Sequence, residues 1–390
     1  IMERWEIAEA KMESIWTEGI KIRKHEPLPG DMEAPVVVIG AGLAGILTAY
    51  YLKQEGIRAV VLEADRIGSG QTKNTTAKIT SQHNQVYSWL IRAFGHQMAE
   101  HYASANEAAI AEYERLVQNK GIDCGFCRCP AYLYSQIETE FLKREAEAAK
   151  SLGIGASFGT ECELPFPVAG VTRFEHQAKF HPLKFLAGMA EEVEVYEQTK
   201  VLKVDGRRVV TASGTVTAEH IVFAAHYPFI NVPGYYFARM HQERSYVVAL
   251  EGAVRPEGMY LGIDQGGLSF RTCGNLLLLG GGGHRTGVNQ GNKAGTGCIY
   301  EMLRNRSREI YPECHEVSRW SAQDCMTLDG LPYIGRFSKR RPNWYVATGF
   351  GKWGMTTAMV AERILTTLIS GRDCPEADIF SPSRHVTVQA

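Results

Sequence analysis

The apolar positions along the chain change period early, and the change locates the first two elements. Val36–Ile39 is continuously apolar and β-branched, as expected of a strand buried on both faces. Glycines interrupt it, and Gly42–Gln54 resumes with helical spacing. Arg58–Glu63 repeats the strand pattern and should pair parallel with the first. A polar, Gly/Thr-rich stretch from Gly68 to Gln82 then reads as a loop. Helical periodicity covers Tyr87–Asn119, Asp123–Ser135 looks extended, and Glu138–Leu152 is helical again with Gly153 as its stop.

From Val193 the pattern shortens to strands: VEVY, KVLKVD, RRVVTA, GTVTA and HIVFAA, with turn signals at Asp205-Gly206 and Ser213-Gly214, predict a meander. Further strands are expected at Ser245–Leu250, Met259–Ile263, Leu268–Thr272 and Leu276–Gly280, and a helix at Asn292–Glu309. The end of the chain reads strand, Gly-rich turn, then helix from Gly354 to Ser370. An α/β opening, a β-rich middle and an α/β close predict an α/β fold: a Rossmann-type nucleotide domain interrupted by an antiparallel α+β substrate domain. The expected division is an arm over 1–34, a nucleotide domain of 35–82, 150–225 and 317–385, and a substrate domain of 83–149 and 226–316.

Within this frame the first strand-to-helix corner reads G-A-G-L-A-G, with Gly40, Gly42 and Gly45 as its glycines. Gly40 permits the tight turn, Gly42 lets backbone approach a pyrophosphate, and Gly45 lets helix and strand pack closely. The intervening Ala41, Leu43 and Ala44 present helix N–H groups to the phosphates. Glu63 ends the second strand, where an acid accepts hydrogen bonds from ribose hydroxyls and disfavours a 2′-phosphate. NAD and FAD both satisfy this pattern. The loop after Glu63 favours the longer cofactor, because Ala64, Arg66, Thr72, Asn74, Thr75, Thr76 and Ala77 continue past the pyrophosphate.

Composition changes the picture little. The chain of 390 residues is 45% hydrophobic and 22% charged, with a net charge of −1 that recommends neither nucleic acid nor an anionic membrane as partner. Ala34–Leu52 is uncharged and long enough to raise a membrane span, but Pro35, the glycines and the β-branched run suit a buried strand turning into a helix. Nine cysteines without a secretory signal point to free thiols in the cytoplasm. CGFCRC, with Cys124, Cys127 and Cys129, has part of a metal clip but no fourth ligand at the usual spacing, so no metal is expected.

VIGAGLAG, RIGSGQTKNTTAKIT, KFHPLKFLAGMA, VFAAHYP, TLDGLPYIGR and ATGFGKWGMT together resemble the D-amino-acid oxidase-like FAD-dependent oxidoreductases, a family that includes sarcosine, glycine and γ-glutamylputrescine oxidases. The resemblance covers nearly the whole chain from Pro35 and lies nearest the γ-glutamylputrescine oxidase branch. It implies tightly held FAD, with Val201 meeting adenine through its backbone and Ala225 near the pyrophosphate. It also implies that Gly349, Gly351, Lys352, Trp353, Gly354 and Met355 lie along the pyrimidine edge of the flavin. A helix starting near Gly354 would present N–H donors there, where negative charge collects on reduction.

The implied reaction removes a hydride equivalent from the C–N carbon of a small amine or amino acid and passes it to flavin; O₂ or another acceptor then takes the electrons. Candidate catalytic residues are Lys352, His284 at the end of the LLLLGGGG strand, and Arg271 and Tyr246 on strands that the family uses as cavity walls, with Tyr260 a weaker one. Two departures from the family matter. Sarcosine oxidases attach FAD through a cysteine five residues before the Thr of a T-x-D motif; here Ala322 stands five residues before Thr327, which implies non-covalent FAD. Glycine oxidase-like members place a carboxylate-anchoring Arg five residues before that Asp; here Asp324 stands five residues before Asp329 and would instead hold an ammonium. The alternatives are C–O oxidation of a 2-hydroxy acid or polyol, which needs a base such as His284, and a flavin-binding protein without turnover. The missing second G-x-G-x-x-G disfavours an NAD(P)H-fed reductase, and the missing C-x-x-x-x-C a disulfide reductase.

Overall fold

A computed structural model describes residues 10–287 and 296–385. Two large sheets organise it. The eight-stranded sheet runs Tyr333–Ser338, Arg341–Thr348, Thr215–Phe223, Met32–Ile39, Ala59–Leu62, Glu194–Tyr196, with Val201–Asp205 and Arg208–Thr211 added beside Thr215–Phe223. The strands from Arg341–Thr348 to Glu194–Tyr196 are mutually parallel, so their carboxyl ends share one edge. Ligands of open α/β sheets bind at that edge. The expected strand–helix–strand opening is present, with the helix at Leu43–Gln54. GTVTA and HIVFAA form one strand rather than two, because its outer half pairs with Arg208–Thr211 and its inner half with Arg341–Thr348. VEVY leaves the expected meander to pair parallel with Ala59–Leu62.

The nine-stranded sheet runs His315–Thr327, Met240–Glu251, Leu276–Arg285, Ser269–Cys273, Met259–Gly262, Cys127–Ser135, Gly170–Lys179, Lys78–Ile79, with Ala156–Gly159 beside Gly170–Lys179. It is mixed, since Met259–Gly262 pairs parallel with Cys127–Ser135. Alternation along its strands separates two faces. Val247, Ala249, Leu278 and Trp320 join the core shared with the nucleotide domain, whereas Tyr246, Val248, Leu277 and Leu279 pack with Tyr300 and Leu303 of the helix Thr296–Ile310. The start expected for that helix, 292–295, lies outside the described residues, as does the arm's beginning at 1–9.

Ala156–Gly159 and Gly170–Lys179, expected in the nucleotide domain, pair in the nine-stranded sheet, and so does His315–Thr327. The long helical stretch is two helices, Tyr87–Phe94 and His96–Lys120, broken at Gly95 with φ +81°. The strand Leu276–Arg285 continues through all four glycines, five residues beyond the expected end at Gly280. The arm is integrated rather than loose. Trp16 is fully buried, and the backbone N–H groups of His25 and Leu28 donate to Glu197 and Thr199. At the other terminus Arg384 makes paired bonds of 2.8 and 2.7 Å to the fully buried Asp329, tying the chain end to the TLDG turn.

Candidate active site

A cavity of about 1020 Å³ begins at the carboxyl edge of the parallel sheet and extends under the nine-stranded sheet. That volume lies at the upper end for a small-molecule site. At its first end the glycine corner behaves as expected. A Cβ on Gly40 would meet Ala224 O at 2.6 Å, and one on Gly45 would meet Gly40 O at 1.9 Å. Gly40, Gly42, Leu43 and Ala44 border the cavity; Ala41 and Gly45 lie behind them and support the turn. The helix opens at Gly42 without a side-chain cap, and Thr72 Oγ1 accepts from the Leu43 N–H at 3.2 Å. The first-turn N–H groups of a helix have no partner within it, and this helix start borders the cavity, as an anion site requires.

Glu63 sits just past the strand Ala59–Leu62, where one carboxylate oxygen accepts from Ala41 N at 2.7 Å and the other from Asp65 N at 2.9 Å. Each oxygen keeps a second lone pair for a ribose. Ala64, Val201 and Ala225 border the same end, as do Thr72, Asn74, Thr75 and Thr76 of the polar loop. Two loop residues take other roles. Arg66 pairs with the buried Glu197 at 3.1 Å and does not reach the cavity wall. Ala77 is buried with φ +53°, turning the chain from the loop into Lys78–Ile79.

The far end gathers Gly349, Gly351, Lys352, Trp353, Gly354 and Met355 on the wall. The helix Gly354–Ile369 has no side-chain cap, so a second helix N-terminus meets the cavity. Lys352 has φ +74°, an uncommon backbone state for a side-chain-bearing residue, and its Nζ pairs with Glu243 at 2.8 Å. Trp353 stacks on His83 with ring centres 4.9 Å apart. His83 is enclosed by Tyr102 OH at 2.6 Å, Thr80 O at 2.7 Å and Thr356 Oγ1 at 3.0 Å. Burial drives its imidazole down to about 3, so it is a neutral support for the indole. Asp324 and Ala322 border the cavity near Lys352, and burial pushes the Asp324 carboxyl up to about 6 against the pull of Lys352. Cys325 also lines the wall, with its thiol pushed up to about 12 by burial.

The candidate catalytic residues do not all converge. Lys352 does. Gly280 and Gly283 face the cavity, and a Cβ on Gly283 would stand 3.4 Å from Lys352 Nζ, so this strand leaves room for a ligand. His284 is absent from the wall; its ring stacks on Tyr246 at 5.7 Å. Tyr246 borders the cavity, yet its ring packs edge-on against Tyr300 on the sheet's other face. A glycine bulge explains His284: Gly282, at φ +66°, turns toward Ile299 and shifts the alternation that would have aimed it inward, whereas Tyr246 follows the plain alternation that points Val247 inward. Arg271 is buried over the Trp16 ring and donates to Phe180 O at 2.6 Å, away from the cavity wall. Tyr260 donates to Glu163 at 2.9 Å. In the CGFCRC stretch Cys127 is exposed while Cys124 and Cys129 are buried.

Sequence reading missed several participants. Trp16 and Trp320 donate from their indole N–H groups to consecutive loop carbonyls, Thr75 O at 2.7 Å and Asn74 O at 3.0 Å. Lys78, Gln82 and His226 border the cavity, and the buried Gln82 Nε2 and His226 Nε2 have no partner among the described residues. The glycine cradle, two open helix ends and the orphaned His226 nitrogen fit a long anionic dinucleotide with a ring system at its far end.

Residues 35–368 match the family model described as FAD dependent oxidoreductase (DAO). A protein of Bacillus subtilis named a putative Rieske 2Fe-2S iron-sulfur protein, YhfW, is 37% identical, covering 98% of this chain and 78% of its own length. Gamma-glutamylputrescine oxidoreductase of Escherichia coli is 22% identical over 94% of this chain and 90% of its own. The crystal structure of glycine oxidase from Geobacillus kaustophilus superposes with a TM-score of 0.75 at 20% identity, covering 91% of this chain and all of that one.

Proposed function

From a chain that belongs to the DAO family of FAD-dependent oxidoreductases, we propose an enzyme that oxidises the C–N bond of a small amine or amino acid to the imine, which water hydrolyses. FAD supplies the acceptor for the hydride equivalent. The residues that would hold it are the glycine corner, Glu63, the Thr72–Thr76 loop and the Gly349–Met355 segment, without a covalent bond from Ala322.

The observation that carries the reading is Asp324, a carboxyl on the wall near the Lys352–Glu243 pair. With a pKa near 6 it is ionised at neutral pH and can hold a substrate ammonium in place. A group so poised also receives the proton that the amine must lose before its carbon gives up hydride. Lys352 and the helix end at Gly354 set positive potential where negative charge collects on reduction. Trp353, backed by neutral His83, keeps that region dry.

Anaerobic mixing with panels of amines, amino acids and 2-hydroxy acids tests this: bleaching of the yellow holoprotein by a member of the first two supports it. Bleaching by hydroxy acids alone replaces it with C–O oxidation. The name of the Bacillus subtilis relative supports an iron–sulfur centre as electron acceptor. Reoxidation by a one-electron acceptor much faster than by air is the expected outcome.

A further inference from the structure

Lys78 is a half-buried cation that no carboxylate answers among the described residues. It lies on the two-residue strand Lys78–Ile79 at the edge of the nine-stranded sheet. Its Nζ donates to two neutral acceptors, Tyr260 O at 2.9 Å and Ser269 Oγ at 2.6 Å. Its charged neighbour is another cation, Arg271, whose buried Nε and Nη1 have no partner among the described residues. Burial, with Arg271 acting in the same direction, lowers the ammonium to about 7; of its neighbours only the Cys129 thiol opposes this. An ammonium taken out of water without a counter-charge is costly, and a protein normally pairs or exposes it.

The surface that Lys78 retains is on the cavity wall. Gln82, further along the same segment, borders that cavity too, and its buried Nε2 is an unpartnered donor. Leu261, Gly267, Ser269 and Gly280 continue the wall with small or neutral groups. Asp264 also borders it, but its carboxylate is engaged by Ser135 Oγ and Gln136 N. Among the described residues the wall around Lys78 therefore offers a positive centre and no free acid, and Gln82 adds an unpartnered amide donor to the same cavity.

We propose that Lys78 and Gln82 bind a carboxylate of the substrate, so that the enzyme acts on amino acids or other carboxylated amines rather than on simple amines or polyamines. This rests on the C–N oxidation reading. The carboxylate supplies the counter-charge that Lys78 lacks and occupies the idle Gln82 N–H. It also divides the substrate end of the cavity between two tasks: Asp324 takes the amino group, and Lys78 the acid. The Arg expected by family likeness at position 324 is then replaced from another strand.

The test is a spectral titration of the holoenzyme with benzoate and with its uncharged counterpart benzamide. Benzoate should perturb the flavin spectrum and bind at least about 10-fold more tightly than benzamide, the scale of a charge-assisted hydrogen bond. Lys78→Met should remove that preference, Lys78→Arg should keep most of it, and Gln82→Leu should weaken benzoate by roughly 5-fold. Equal binding of the two probes to the wild type, or an unchanged preference in K78M, overturns the proposal. Should K78M purify without flavin, the wild-type preference and the Q82L titration decide alone. Amines without a carboxylate that bleach the flavin as fast as amino acids would sink this proposal while leaving C–N oxidation standing. A Lys78-dependent benzoate site with no bleaching by any amine would do the reverse.

Discussion

The two ends of the cavity are made of different materials. At the nucleotide end the contacts are backbone: glycines without Cβ atoms, a helix N-terminus and the carbonyl-lined turn at Ala224. At the substrate end they are side chains, Lys78, Asp324 and Lys352, delivered by two strands and a turn far apart in sequence. Backbone sites are rigid and specify a shape shared by many ligands. Side-chain sites specify charge, and three changed residues can redirect them. The cofactor end should therefore fail all at once when disturbed, and the substrate end by degrees.

The largest expected effect is at the glycine corner. Gly45→Ala puts a methyl 1.9 Å from Gly40 O and should cost about 3 kcal/mol or more through helix displacement. Bound-flavin absorbance after gel filtration should be near zero. Lys352→Met should keep the flavin yet slow its anaerobic reduction by roughly 10²-fold, the usual scale for removing one stabilising group. Equal loss of flavin in both variants would erase the contrast between the ends.

Asp324→Asn sharpens the comparison through pH. The folded carboxyl titrates at about 6, above its ordinary 3.8. Its contribution to stability is therefore complete below the ordinary value and is lost as pH rises through 6. The Asn variant escapes that loss, so above pH ~7 it should melt higher by on the order of 1–2 kcal/mol, with the difference vanishing toward pH ~4. Thermal melts across that range check the sign, and the same variant should bind amine substrates more weakly. Trp16→Phe removes one hydrogen bond to Thr75 O and should cost about 1 kcal/mol, read as faster flavin release on dilution. The smallest effect is His284→Ala, whose ring lies off the wall; turnover should change by less than about 2-fold.

What the sequence made legible follows the same division. Gly40, Gly42, Gly45 and Glu63 sit at short spacings whose meaning is local, so the corner and its parallel strands could be read directly. Lys78 and Gln82 carry no local pattern, and Glu243 meets Lys352 only through the fold. His284 shows the cost of reading register from alternation alone, since Gly282 inserts a left-handed step that redirects it. Trp16 and Trp320 are apolar in composition but act through their N–H groups, which no periodicity reports.

Those two indoles also set the order in which the protein can be completed during synthesis. Trp320 is made more than three hundred residues after Trp16, yet they grip adjacent carbonyls of the same loop. A ribosome that has finished the first sheet strands has built a phosphate cradle but cannot yet close the clasp over it. Firm retention of the yellow group thus waits until Trp320 has been made, and products truncated before it should be released colourless.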